Sequence, residues 1–354
     1  MILFIQISLL VLCLFTGLQF VRLDHWWIRI ADFTHIQVFV LTLLYLVLLL
    51  INTPLDDIVN ISLFGFGLLT LLYQAYIIYP YTPLHAKAAK SIKRIFDEDS
   101  ISILESNVFM DNTNYQLLLD QVAKENPDIV ITLETGTKWS AALSVLDQDY
   151  PHSSKVPFDN TYGMMLFSKL PLIDTSVNYL VEEEVPSIET TVKLPHGTMV
   201  KLHVIHPKPP SPSENYMSTE RDAELIIVGK KAKAEKMPVI VAGDLNDVAW
   251  SHTTRLFQRI SQLLDPRIGR GFFNTFHAKY WLFRWPLDHV FHSDDFLVRR
   301  VARLPHIGSD HFPLYIELVY KPITGPARNS VPADADAEDR KESKDKLLSV
   351  DAIV

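Results

Sequence analysis

Hydrophobic positions are spread unevenly along these 354 residues. Three long apolar runs open the chain, Ile2 to Phe20, Ile36 to Ile51 and Ile58 to Tyr79, and none of them contains Asp, Glu, Lys, Arg or His. A bilayer core is crossed by about 20 apolar residues, with about 17 as the lower limit. The pattern therefore predicts three transmembrane helices, the second short unless it begins near Phe33. Trp26, Trp27, Tyr76, Tyr79 and Tyr81 fall at the edges of the runs, where amphipathic rings favour the headgroup layer. The first run lacks the basic flank and small-residue cleavage site of a signal peptide, and no run carries the polar face of a soluble core helix. Residues 1–85 read as a membrane anchor.

From about residue 95 the period changes. Ile101 to Val108, Asp128 to Leu133, Met164 to Phe167, Thr190 to Leu194, Met199 to Ile205, Val239 to Ala242, Leu287 to Phe291 and Phe312 to Leu318 are short β-branched runs that predict strands. Asn114 to Glu125, Ser218 to Lys236 and Ser251 to Leu264 carry helical spacing. Two strand-rich stretches around a helical middle predict an α/β sandwich with mixed sheets over residues 95–322. Beyond Ile323, Gly, Pro, Asn, Ala and alternating charge through Lys346 predict a disordered tail over residues 323–354.

Charge and cysteine content narrow the function. The chain carries 33 Lys and Arg against 41 Asp and Glu, a net charge of −8, so no basic surplus advertises a nucleic-acid partner. Its one cysteine, Cys13, lies in the first apolar run. A disulfide framework, a Cys-rich zinc site and a cysteine nucleophile in the polar part are thereby excluded. Uncharged runs leave no visible ion path, which argues against transport. Arg22 and Arg29 lie in the first loop, Asp56 and Asp57 in the second, and Lys87, Lys90, Lys93 and Arg94 after the third run. That alternation predicts a cytoplasmic polar domain.

Several predicted strands stop at an acid or an amide. The strand over Ile101 ends at Asn107, that over Asp128 at Glu134, and that over Val239 runs into Gly243-Asp244-Leu-Asn246. Asp288 with His289, and Asp310 with His311, place further acids beside apolar runs. A lone acid at a strand end is more often a turn or cap, and Asp128, after Pro127, reads that way. His203 reads as a satisfied, partly buried histidine, whereas His206 ends its strand before Pro207, where chemistry could occur. Half-buried carboxylates with few basic neighbours repel one another unless a cation neutralises them. Oxygen donors without cysteine favour Mg²⁺ or Mn²⁺ over zinc. The sequence holds no phosphate-loop, nucleophile-elbow or H-E-x-x-H motif.

Taken together, the motifs over about residues 100–320 resemble the endonuclease/exonuclease/phosphatase superfamily of metal-dependent phosphoesterases, in the family's order. Asn107 matches the first-strand Asn, Glu134 the metal-binding Glu, and Tyr162 to Leu172 the G-x-x-x-x-S-x-x-P stretch. His206 matches the histidine after the central strand, Asp244 and Asn246 the G-D-x-N motif, Asp288 the I-D-H/Y motif with Leu287 in place of Ile, and Asp310 with His311 the S-D-H. The apolar runs, Pro80-Tyr-Thr-Pro83 and an aromatic insert from Asp265 to Trp285 are further similar to a membrane-anchored bacterial subgroup, which implies the inner membrane. The resemblance implies a four-layer α/β/β/α sandwich with its site at one edge. It implies that Glu134 and Asn107 hold a divalent metal, with Asp310 at a second position. Asp244, oriented by Asn246, would align or deprotonate water; His311, fixed by Asp288, would stabilise the phosphorane; His206 would protonate the leaving oxygen or hold the phosphate.

The substrate stays open among a lipid headgroup, a soluble phosphoester and DNA or RNA. An anchored site and the aromatics of the insert favour lipid, although the same aromatics could equally pack a core. Lys230, Lys231, Lys233 and Lys236 could serve nucleic acid but read more simply as a solvated face. A catalytically silent receptor or scaffold is the remaining alternative, and the intact set of acids argues against it.

Overall fold

The structure, a computed structural model, describes residues 1–54, 56–93, 99–322 and 329–350. Arg94, the expected domain start at 95, and tail residues 323–328 and 351–354 lie outside the described residues.

The apolar region folds as α1 (Ile2–Leu18), α2 (Trp26–Phe33), α3 (His35–Asn52) and α4 (Ile58–Ile78). Among the described residues two helices are long and apolar enough to cross a membrane, His35–Asn52 and Ile58–Tyr81, not the three expected. The first run differs because its helix stops at Leu18 and turns at Gln19 and Phe20. At 1.5 Å per residue it spans about 26 Å, a little less than a hydrocarbon core of about 30 Å. The three apolar helices pack together through Ile5 and Leu9 of α1 and Leu46 and Leu49 of α3. A Cβ on Gly67 of α4 would lie 2.8 Å from Leu46, so that glycine sets the spacing. Polar contacts tie both ends of the bundle: Gln6 to Asn60 at one, Gln74 to Thr16 and His35 at the other. The first loop is not bare. It holds α2, which buries Ile28, Arg29, Ala31 and Asp32.

The polar domain contains β1 (Ser100–Asn107), β2 (Ile129–Leu133), β3 (His152–Val156), β4 (Met164–Ser168), β5 (Leu172–Asn178), β6 (Ser187–Lys193), β7 (Met199–Val204), β8 (Val239–Asp244), β9 (Asp288–His292), β10 (Phe296–Arg303) and β11 (Leu314–Tyr320). Its helices are α5 (Tyr115–Glu125), α6 (Thr137–Leu143), α7 (Thr219–Ala234), α8 (His252–Ser261) and α9 (Ala337–Leu348). One sheet has the order β10-β11-β1-β2-β4-β3 and the other β5-β6-β7-β8-β9. Both are mixed, with β1 parallel to β2 and β7 parallel to β8.

Side-chain alternation stacks the layers. Ile101, Ile103, Ile129 and Ile131 of the first sheet meet Val200, Leu202, Ile240 and Ala242 of the second in the central core. The opposite face of the first sheet, with Leu104, Val130 and Phe167, packs on Leu118 and Val122 of α5 and Trp139 of α6. Val241 and Phe291 on the far face of the second pack on Leu225 and Val228 of α7 and Phe257 of α8. Asp128 accepts hydrogen bonds from the Ser102 backbone N and Oγ at 2.7 and 2.6 Å, a structural tie.

The tail expected to be disordered differs from that expectation at residues 337–348, which form α9. Asp336 and Asp339 close a capping box at its start. The helix is held by charge: Arg259 pairs with Asp339 at 2.7 Å, His252 with Glu342 at 2.9 Å, and Arg22 with Glu338 at 2.9 Å. Lys346 reaches both Asp24 at 2.7 Å and buried Asp222 at 2.6 Å. We expect Lys346→Ala to cost about 1–3 kcal/mol of stability, because it leaves a buried carboxylate short of one charge-assisted partner. Thermal melting of the full chain in detergent checks this; an unchanged melting point would contradict it.

Candidate active site

Strand direction decides which residues meet. Since β1 and β2 run parallel, their carboxyl ends open on one edge, where Asn107 pairs with Leu133, the residue before Glu134. The parallel pair β7 and β8 likewise delivers His206, two residues past β7, and Asp244, the last of β8. β9 and β11 run against β8 and β1, so their entries lie at this edge. Asp288 opens β9 opposite Asp244. Asp310 and His311 precede β11, whose Leu314 lies opposite Glu105. Gly243 (φ +142°) permits the closest approach: a Cβ there would lie 1.9 Å from the Ile205 carbonyl oxygen.

The structure brings together all eight residues singled out in the sequence. Asn107 Nδ2 donates to Glu134 Oε1 at 2.8 Å and to Asp244 Oδ2 at 3.1 Å. His311 Nδ1 lies 2.8 Å from Asp288 Oδ2, and its Nε2 lies 3.5 Å from Asp244 Oδ2. The Asn246 backbone N donates to Asp244 Oδ1 at 2.9 Å, while its side-chain amide donates to the Pro207 carbonyl at 2.9 Å. Glu134, His206, Asp244, Asn246, Asp310 and His311 line one cleft of about 500 Å³, with Asn107 and Asp288 directly behind. Glu134 and Asn246 hold left-handed backbone, φ 55° and 51°. Such strain in non-glycine residues concentrates at functional sites.

Burial sets the charges. It raises Glu134 to about 7 and Asp244 to about 6, the latter opposed by His311. Burial alone would lower His311, but the carboxylates of Asp288 and Asp244 outweigh it and push it up to about 10. His311 is therefore a cation at neutral pH, and Asp288 is held below the usual carboxylate range, His311 outweighing its burial. Burial lowers His206 to about 3, leaving a neutral ring whose buried Nδ1 has no protein partner.

Asp244, Asp288 and His311 offer ligand atoms within 4.8 Å of one another, a candidate metal site by geometry. A protonated imidazole has no free lone pair, so in this state the trio is an ion-paired Asp–His–Asp array. Glu134 and Asp244, whose burial is only partly offset by protein charge, offer the carboxylate oxygens that a hard divalent cation takes, while Asn107 turns its amide nitrogen to both and its oxygen accepts from the Phe109 backbone N at 3.1 Å.

Sequence reasoning missed Glu105. It is fully buried, and burial together with the Asp288 carboxylate raises it well above its ordinary range; in its protonated form it donates to Asp288. Its signal was available, since residues 105 and 107 share a strand face. Ser309, read only as part of a motif, donates to the Asn107 carbonyl at 2.8 Å and accepts from the His311 backbone N at 2.9 Å. Trp26, Ile30 and Phe33 of α2 also line the cleft, and no local pattern announced them.

Two mixed sheets between helices, with acids, amides and a His–Asp pair gathered at one edge, define an α/β-sandwich hydrolase fold. The chain belongs to the Endonuclease/Exonuclease/phosphatase family, whose family model matches residues 104–311. Among solved structures it is similar to humanised D. rerio TDP2 carrying 14 mutations, at 17% identity and TM-score 0.51, covering 62% of this chain and 99% of that one. The human Nocturnin catalytic domain is 17% identical, with TM-score 0.52 and coverage of 63% and 96%. An endonuclease/exonuclease/phosphatase family protein from Bacteroides thetaiotaomicron is 18% identical, with TM-score 0.51 and coverage of 63% and 95%. At these identities the likeness is one of fold. No curated protein matches the chain.

Proposed function

We propose that this chain is a membrane-anchored phosphoester hydrolase that works with Mg²⁺ or Mn²⁺. The observation that carries the reading is the meeting of Glu134, Asn107 and Asp244 around the His311–Asp288 pair at the base of one cleft. Glu134 and Asn107, with Asp310 at a second position, would hold the cation, which when bound polarises a nonbridging phosphate oxygen. Asp244, fixed by the Asn246 backbone, is placed to orient water and take its proton. His311, held cationic by Asp288, presents positive charge to the developing phosphorane. His206, neutral and with Nδ1 lacking a protein partner, serves to hydrogen-bond the bound phosphate or its leaving oxygen. The anchor is residues 1–85, the membrane the bacterial inner membrane, and the loop charges put the catalytic domain on the cytoplasmic side.

The test is hydrolysis of bis(p-nitrophenyl) phosphate and p-nitrophenyl phosphate by the full chain in detergent. Turnover with Mn²⁺ or Mg²⁺ that EDTA abolishes supports the reading; EDTA-insensitive turnover overturns it. Metal affinity should also depend on pH. Glu134, at about 7 without metal, must lose its proton to ligate, so Mn²⁺ affinity at pH 6 should fall about tenfold from its value above pH 8. Calorimetric titration at both pH values measures this, and a pH-independent affinity would remove Glu134 from the ligand set.

A further inference from the structure

The cleft has a chemically divided lining. Its base carries the acids and histidines described above, whereas its walls are mainly apolar, with Trp26, Ile30 and Phe33 from α2 and Tyr162, Phe276 and Trp285 from the catalytic domain; Glu214, to which the Tyr162 hydroxyl donates, is a further acid in the lining. Among the described residues, Arg29 is the one Lys or Arg in the lining. Its guanidinium is already engaged, by Asp32 at 3.3 Å and by the Val21 carbonyl. A polyphosphate or a nucleic-acid strand needs several cations along its path, and this cleft offers a place for one phosphate beside an apolar body.

The wall formed by α2 connects the cleft to the apolar helices. That helix lies between α1 and α3, separated from α3 by Thr34 alone, and Trp250 Nε1 of the catalytic domain donates to its Asp32 carbonyl at 2.8 Å. Ile30 lines the cleft while 47% exposed, and Trp27 beside it is equally exposed. The aromatic insert divides: Phe276 and Trp285 pack inward, whereas Trp281, Leu282 and Phe283 stand exposed at its tip. That tip is tied to the first turn of α3 by Gln37 Nε2 donating to the Leu282 carbonyl at 2.8 Å. Exposed aromatic and aliphatic groups thus adjoin the cleft where the apolar helices begin, the arrangement of an interfacial surface.

We infer that the substrate is an amphiphilic phosphoester delivered by the bilayer, its phosphate at Glu134, Asp244 and His311 and its apolar part along Trp26, Ile30 and Phe33. This rests on the hydrolase reading above and deepens it: α2 is a specificity-determining wall. In the step, water oxygen bonds to phosphorus, the ester P–O bond breaks, and the proton lost by water ends on the departing alkoxide. The products are an alcohol and a phosphate with one ester fewer.

A homologous series of synthetic esters tests this whichever lipid is the natural substrate. The full chain, held in amphipol with Mn²⁺, is assayed on p-nitrophenyl ethyl phosphate and on p-nitrophenyl octyl phosphate below its micellar concentration. Each buried methylene is worth up to about fourfold, so kcat/KM should rise at least about 100-fold from ethyl to octyl. Ile30→Ser, at a half-exposed position that does not threaten folding, and Trp26→Ala should each cut the octyl-to-ethyl ratio at least about tenfold through KM. A flat chain-length dependence, or a ratio unmoved by both variants, overturns the inference while metal-dependent turnover of the ethyl ester keeps the hydrolase reading. A chain inert toward both esters overturns the two together.

Discussion

Glu134→Gln should lower kcat/KM toward a phosphodiester at least about 1,000-fold, while the protein folds as well as before. Such a loss corresponds to about 4 kcal/mol of transition-state stabilisation, within what charge stabilisation at a phosphate supplies. The carboxylate accepts from Asn107 at 2.8 Å and sits at the end of β2 on left-handed backbone, so the amide can occupy its place. Stability should move the other way. Burial raises the Glu134 carboxyl from 4.5 to about 7 in the folded chain. Its contribution to stability is therefore fully present below pH 4.5 and is lost as pH climbs through about 7. In EDTA at pH 8 the Gln variant, which keeps the shape without the charge, should melt above the wild type. Steady-state kinetics and thermal melting together check both halves; unimpaired turnover would remove Glu134 from the chemistry.

Asp288→Asn should cost about 10²–10⁴-fold in kcat/KM and also change the pH profile. His311 is a cation up to about 10 because Asp288 and Asp244 outweigh its burial. Once the Asp288 charge is gone, Asp244, 3.5 Å away in the native protein, and the smaller influence of Asp310 remain to support the imidazolium, so the folded pKa of His311 falls. The alkaline limb of the pH–rate profile should then move to lower pH. Rate loss without that shift would mean that Asp288 acts other than through the imidazolium.

Residue patterns made the catalytic edge legible because parallel strands bring carboxyl ends together and each site residue lies at an apolar run's end, as Asn107, Glu134 and Asp244 do. Where the pattern was weak, elements were missed. Strands β3, β5 and β10 are sheet edges: β3 and β5 have no fully buried residue, and β10 buries three consecutive residues, Phe296 to Val298, before turning to solvent, so none of them shows a buried-exposed alternation. Helix α9 was missed for another reason: ion pairs to Arg259, His252, Asp24 and Asp222 hold it more than any apolar stripe, and such pairs leave no periodic trace. The α2 wall was hidden because its partners in the cleft lie far away in sequence. Helix length also overrode composition, since the first run is apolar to Phe20 but helical only to Leu18.

The clamp between Lys346 and Asp24 joins residues 322 positions apart, and this imposes an order on biogenesis. A ribosome adding about 5–20 residues per second needs roughly 16–64 s to travel from one to the other. Throughout that interval the first loop, already made and flanked by apolar helices, lacks the cation that secures it, and Asp222 waits for the same ammonium. The catalytic domain can assemble its sheets before then, because the strands that carry Asn107 through His311 are complete earlier. Seating of α2 therefore proceeds in two stages: its neutral ties to Tyr216, Ser218, Thr219 and Trp250 can form while the sheets assemble, and the ammonium shared by Asp24 and Asp222 locks it last.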